Sequence, residues 1–288
     1  MRELFKDLTA DQADTCGLVL SSSGISYRVK KGRKGWGIWV DEYGYENALA
    51  CMKQYFRENQ DEFSTPEPGA DNYQKTFTGV YAAGVLLAWY LAFMMGNDSR
   101  RFIRAYGSAS DYILHGEFYR AATALMLHAD SVHLVGNMVG VAVFGTAVCS
   151  ITGWGVGWLM ILLTGIIGNL GNAAFLKTGH VSIGASTAVF GAIGILSGHQ
   201  FIKRFRSQGR RIKAWLPPAG GLALLGFLGS GVHTDLTAHL FGFLAGMILG
   251  ILYAAFIDRI TSRSGQMYAM CVFIGILFVA WLTAFSRG

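Results

Sequence analysis

A helix that crosses the hydrocarbon core of a bilayer needs roughly 20 predominantly apolar residues. This sequence supplies one such run after another: residues 77–95, 132–150, 155–175, 186–201, 215–232, 236–257 and 267–285. Backbone groups inside hydrocarbon must be satisfied internally, so runs of this length fold as helices. The stretch before residue 75 is polar and charged, and the overall charged share of 15% hides that split. The pattern predicts an all-α polytopic membrane protein, six spans plus a C-terminal seventh, behind a small N-terminal α+β soluble domain. The expected divisions are a soluble unit over 1–64, a linker over 65–76, a six-span core over 77–257, and a loop with an additional helix over 258–288. The fourth run is short and contains His199, so its inner end is expected to be wet or covered by protein. The segment 97–131, rich in aromatic and basic residues such as Arg100, Arg101, Phe102, Phe118, Tyr119 and Arg120, fits an interfacial position.

Charge orients the chain. With the amino terminus inside, the head and the 202–214 and 258–266 loops carry about 18 of the 24 Lys and Arg residues, as the positive-inside rule demands. The net charge of +6 therefore marks topology and lipid contact, not nucleic-acid binding. The basic segment 203–213 lies directly against two spans and is the strongest anchor. The expected setting is a bacterial inner (cytoplasmic) membrane with a cytoplasmic amino terminus. The opening residues are too polar for a cleavable signal core. Cys16, Cys51, Cys149 and Cys271 are scattered without metal-ligand spacing and read as free thiols.

The head reads as helix, strand, strand, helix. Ala10 to Ser22 is helical and Gly24 breaks it. Ser26–Lys31 and Gly37–Val40 are short strands around the basic turn at 30–35, and Asp41 is the expected N-cap of a helix running to about Asn59. No catalytic constellation is visible there. The segment 64–72, with Pro66 and Pro68, reads as the linker.

Ionisable and polar residues inside spans are costly and point to function. Here they fall near the starts of even-numbered spans: His133 and Asn137 on the second, with His128 just before it, Ser186 on the fourth, and His239 on the sixth. In the predicted topology these helices all run from outside to inside, so their first turns share one depth. A serine hydroxyl becomes a nucleophile when an imidazole takes its proton. Ser186 enters its helix behind Gly184, where first-turn amides lack partners and the helix dipole favours negative charge. His133 and Asn137, four apart, share a helical face and could donate to an oxyanion. Gly242, Gly246 and Gly250 form a small-residue stripe that lets the sixth span approach a neighbour closely, with Gly191 and Gly194 of the fourth as facing partners. His115, His180, His199 and His233 are read as loop or interface residues, and Asp235 as a carboxylate facing outer water rather than a third triad member. His128 and His133, five apart, share a helical face poorly, so no metal site is expected.

Over residues 77–257 the sequence resembles the rhomboid intramembrane proteases. HADSVHLVGN (128–137) is similar to the family's second-span motif, GAS (184–186) to its Gly-x-Ser, and AHLFG (238–242) to its Ala-His motif with a glycine three residues on. The resemblance implies a serine endopeptidase acting on transmembrane protein substrates. It implies a catalytic dyad of Ser186 and His239 and an oxyanion hole of His133, Asn137 and the Ser186 amide. His128, Gly184, Phe190 and Gly242 would be structural neighbours, with no cofactor and no metal. Thr187 stands where the family often has glycine, Phe190 where it commonly has tyrosine, and Tyr119-Arg120 where it has Trp-Arg. A catalytically inactive relative and a polytopic transporter are the alternatives.

Overall fold

The computed structural model describes residues 1–32, 35–58, 74–95, 99–177, 179–206, 211–228, 234–257 and 261–287. The expected 64–72 linker, Arg33 and Lys34 of the basic turn, residues 207–210 of the basic loop, and His233 lie outside these. The chain is mostly helical and divides into two units, Met1–Ala70 and Asp71–Gly288.

In the first unit, strand β1 (Arg2–Leu8) precedes helix α1 (Ala10–Ser22), strands β2 (Tyr27–Lys31) and β3 (Trp36–Val40), and helix α2 (Tyr45–Glu58). The sheet is antiparallel in the order β1-β3-β2. Its apolar core joins Leu4, Ile38 and Val40 to Cys16 and Leu20 of α1 and Ala48 and Met52 of α2. Thr9 and Gln12 cap α1 reciprocally: each side chain accepts from the other's backbone amide, at 3.2 and 3.0 Å. Two features depart from the sequence reading. β1 is a strand the pattern did not reveal, because this edge strand buries only Leu4 among charged neighbours. Asp41 does not cap α2. Its carboxylate accepts from the adjacent Glu42 amide, a turn intervenes, and the helix begins at Tyr45.

The second unit opens with α3 (Thr78–Met94), whose last turn is π-helical. Then come α4 (Ser99–Tyr106), strand β4 (Ser108–Ala109), α5 (Ser110–Leu114) and α6 (Arg120–Thr123). At 8, 5 and 4 residues the three short helices cannot span a bilayer. The long helices follow: α7 (Ser131–Thr152), α8 (Trp154–Leu176), α9 (Ser186–Arg206, after strand β5 at Val181–Ser182), α10 (Leu216–Leu228), α11 (Leu236–Phe256) and α12 (Arg263–Arg287). α7, α8, α11 and α12 are each long and apolar enough to cross a membrane. Among the described residues the expected seven spans compare with these four: α3 is 12 α-helical and 5 π-helical residues long, α9 carries Lys203, Arg204 and Arg206 in its last turn, and α10 is described over 13 residues.

α9 is the most enclosed of the long helices described, and His199, far from being a loop residue, is 2% exposed within it. α9 and α11 touch backbone to backbone. A Cβ on Gly242 would overlap the Thr187 carbonyl, one on Gly246 the Gly191 carbonyl, and one on Gly250 the Ile195 carbonyl. In return, a Cβ on Gly194 or Gly198 would overlap the Phe243 or Met247 carbonyl. α12 is fastened at both ends. Near its start, buried Gln266 accepts from the Gly155 and Val156 amides at the head of α8 (2.7 and 3.0 Å) and donates to the Thr152 carbonyl (3.0 Å). Near its far end, Trp281 packs among Trp89, Phe102, Tyr106 and Phe285.

The glycine interlock yields a direct test. Gly246→Ala puts a methyl group where the Gly191 carbonyl sits, and overpacking of this kind costs about 1–3 kcal/mol. The variant is expected to melt several degrees below the wild type in the same detergent, whereas Gly275→Ala, where a Cβ meets nothing within 4 Å, leaves the midpoint unchanged.

Candidate active site

The residues singled out in the sequence come from three helices and one turn. Asp130 caps α7 by accepting from the His133 amide at 2.8 Å, which fixes the turn that presents His133. Gly184 takes a left-handed backbone (φ +107°), and its amide donates to the Ala124 carbonyl at 2.9 Å. This turn delivers Ser186 as the first residue of α9, where first-turn amides have no intrahelical acceptor. A side chain at 184 is barred twice over: by the backbone angle, and because a Cβ would lie 2.6 Å from His133 Nε2. The same point is 3.6 Å from Ser186 Oγ, so Gly184 is the seam between the His133 ring and the serine hydroxyl.

Across the interlock, His239 on α11 is 4% exposed and its Nε2 lies 2.8 Å from Ser186 Oγ. Phe190, one turn beyond the serine, lies against the imidazole with ring centroids 4.6 Å apart. Gly242, one turn beyond His239, gives the closeness this pair needs, and the Thr187 methyl fits between it and Gly168 of α8. A threonine is accommodated here because two other helices supply glycines opposite it.

Asn137 is 6% exposed. Its Nδ2 donates to the His133 carbonyl at 2.7 Å, and its Oδ1 has no hydrogen-bond partner among the described residues. An amide nitrogen carries two hydrogens, so one remains available. His128 is fully buried, packs edge-on against His133 at 5.3 Å between centroids, and receives the Ala185 amide at its Nε2 at 3.5 Å.

The sequence reading missed a polar scaffold around these groups. Asp235 is turned mostly inward, with its side chain 13% exposed. It is the N-cap of α11, accepting the Ala238 amide at 3.0 Å, and its carboxylate also takes Asn172 Nδ2 (2.6 Å) and His180 Nε2 (2.5 Å). The Thr237 hydroxyl lies between Asp235 Oδ1 (2.8 Å) and Asn172 Oδ1 (2.6 Å) and donates its one proton to one at a time. Burial raises the Asp235 carboxyl, but the Ala238 amide, His180, Thr237 and Ser182 together hold it below the ordinary value. On the segment before α7, Arg120 is 6% exposed and bonds Glu117 (2.5 Å) and the Arg104 and Gly107 carbonyls. β4 pairs with β5 (Ser108↔Ser182, Ala109↔Val181), tying that segment to the turn before Ser186. Asn169 of α8 donates to the Ala121 carbonyl at 2.9 Å. Asn169 and Asn172, polar residues within an apolar span, were the signal available in the sequence.

The sequence pattern of the rhomboid domain family matches residues 115–256, which contains His128, His133, Asn137, Gly184, Ser186, Phe190, His239 and Gly242. The chain is 30% identical over 143 residues to the protein named "Putative rhomboid protease YdcA" of Bacillus subtilis, covering 49% of this chain and 69% of that one. It is 29% identical over 157 residues to "Rhomboid protease GluP" of the same organism (53% and 31%). It is 29% identical over 176 residues to "Inactive rhomboid protein 2" of Homo sapiens (58% and 20%). The chain thus spans well under half of the latter two, and the matched relatives include both protease-named and inactive-named proteins. An integral-membrane helical fold, a family pattern covering the three motif-bearing helices, and a relative matched over more than two thirds of its length place this chain in the rhomboid family.

Proposed function

We propose that this rhomboid-family chain is an intramembrane serine endopeptidase that cleaves transmembrane protein segments, with Ser186 as nucleophile and His239 as general base. The single observation that carries the reading is the 2.8 Å approach of Ser186 Oγ to His239 Nε2. It favours the protease over the inactive alternative, because a chain without proteolytic function has no need to hold a hydroxyl against an imidazole at the mouth of a buried helix pair. In this mechanism a locally unwound substrate segment offers its carbonyl carbon to Ser186 Oγ as the hydroxyl proton passes to His239 Nε2. The tetrahedral oxyanion is held by the Ser186 amide, His133 and Asn137. The imidazolium then returns its proton to the leaving amine. A water molecule, deprotonated by the same imidazole, attacks the acyl-enzyme ester, and the imidazolium returns that proton to Ser186 Oγ as the acid product leaves. Phe190 packs on one face of the His239 ring, restricting its tilt. The residues named here account for every proton transfer without a cofactor. The amino terminus is assigned to the cytoplasmic side of a bacterial inner membrane, on the distribution of Lys and Arg.

Ser186→Ala is expected to abolish both labelling by a fluorophosphonate probe and cleavage of a model transmembrane substrate by the purified protein. Cleavage that persists in this variant ends the assignment.

Asn137→Ala separates transition-state support from folding. Loss of one oxyanion donor costs about 10²–10³ in turnover where it has been measured elsewhere. The remaining donors here place the expected loss at about tenfold or more. KM is expected to move far less, because the contact strengthens only as charge develops. Normal turnover per titrated site, paired with a lowered melting temperature, would assign Asn137 to helix packing instead.

The first unit has its own core and contains none of the site residues. Removal of residues 1–70 is therefore expected to leave cleavage of a small model substrate within several-fold of the full chain. A folded but inactive truncation would make the head part of the catalytic unit.

A further inference from the structure

The serine and the histidine sit on separate helices, and each helix begins at a turn. The first turn of α11 and the turn that leads into α9 converge on one carboxylate, that of Asp235. Its Oδ1 accepts the Ala238 amide and takes the Thr237 hydroxyl, both within the first turn of α11. Its Oδ2 takes His180 Nε2, six residues before Ser186, and Asn172 Nδ2 from the last turns of α8. The Asp235 backbone carbonyl accepts the amide of His239 itself at 3.1 Å. Asn172 Oδ1, 2.6 Å from the Thr237 hydroxyl, is the alternative acceptor for its single proton. The 179–182 segment is held from its other side by Asp111, whose carboxylate takes the Gly179 amide, and by the short β4–β5 ladder. One largely enclosed side chain therefore joins three elements within one helical turn of the candidate base.

We propose that Asp235 is a positioning residue: together with His180, Asn172 and Thr237 it sets the register between the turn bearing Ser186 and the turn bearing His239. The role rests on the protease reading but acts through geometry, and it is not that of a third proton-transfer group. The carboxylate is already engaged by an asparagine, a histidine other than His239, a threonine and a backbone amide. The α9–α11 interlock fixes how close the two helices lie along their length. The Asp235 cluster fixes their first turns, where a shift of about 1 Å in a reacting pair is enough to lose roughly 10²-fold in rate.

The test uses the full chain in detergent or liposomes, with turnover counted per fluorophosphonate-titrated site. Asp235→Ala is expected to lower kcat at least tenfold while KM stays within about twofold. Asp235→Asn keeps an acceptor for the Ala238 amide and Thr237, and is expected to recover part of that loss. Hydrogen exchange on the same samples reads the bridge without cleavage. In Asp235→Ala, exchange is expected to rise together in 180–186 and in 236–241. Exchange that rises in 236–241 alone would reduce Asp235 to a helix cap and overturn the proposal, as would wild-type kcat per site in a merely destabilised protein. Should Asp235→Ala not fold, His180→Ala removes the bridge and leaves the cap intact. It is expected to lower kcat and loosen 180–186, and wild-type values of both would overturn the proposal. Cleavage surviving in Ser186→Ala would sink the protease reading instead, and the exchange experiment still decides whether Asp235 couples the two turns.

Discussion

The structure of the second unit depends on the contact between α9 and α11, where glycines of each helix lie against carbonyl oxygens of the other. Inside a bilayer, helices gain little from hydrophobic transfer on associating, so van der Waals fit and backbone approach carry the packing. Five glycines, at 194, 198, 242, 246 and 250, remove every side chain that would separate the two backbones. Once the axes are that close, a serine and a histidine on facing turns fall within hydrogen-bond reach without either side chain having to extend. The helix contact comes first, and the candidate chemistry follows from it.

Around this pair the chain spends its buried polar groups on aligning turns. Gly184 lets the His133 ring approach the serine. Arg120 and Glu117 order the segment before α7, and β4–β5 carries that order to the turn before Ser186. Asn169 reaches from α8 to the Ala121 carbonyl, and Asn172 to the head of α11. Each is a polar atom placed where water is scarce. An unpaired polar group in such a place costs several times what a paired one returns, so these bonds are held more firmly than their number suggests.

Much of this was legible in the sequence. The apolar runs located the long helices, and polar residues expected at one depth drew attention to Ser186, His239, His133 and Asn137, of which Ser186 and His239 lie 2.8 Å apart. The Gly242, Gly246 and Gly250 stripe announced a close helix contact before its partner was known. What stayed hidden depended on partners distant in the chain. Asp235 read as a solvent-facing acid because its ligands lie 55 and 63 residues away. α9 read as a short span whose inner end would be wet or covered by protein, but the helices that enclose His199 there could not be named from the sequence. In the head, β1 was invisible because an edge strand that buries one leucine leaves no alternation to detect, and Asp41 looked like a cap because the turn that displaces the helix start has no apolar period.

The Gln266 contact bears on how the chain is made. The Gly155 and Val156 amides at the start of α8 find their acceptor more than a hundred residues later in the chain, on α12. Until α12 docks, the head of α8 has two donors with no protein acceptor at that site, in a region that becomes apolar once the bundle closes. The helices before α12 can form first, but the head of α8 gains this fastening only when α12 docks. A chain cut short before residue 266 would keep both Ser186 and His239 but lose the acceptor for these two amides.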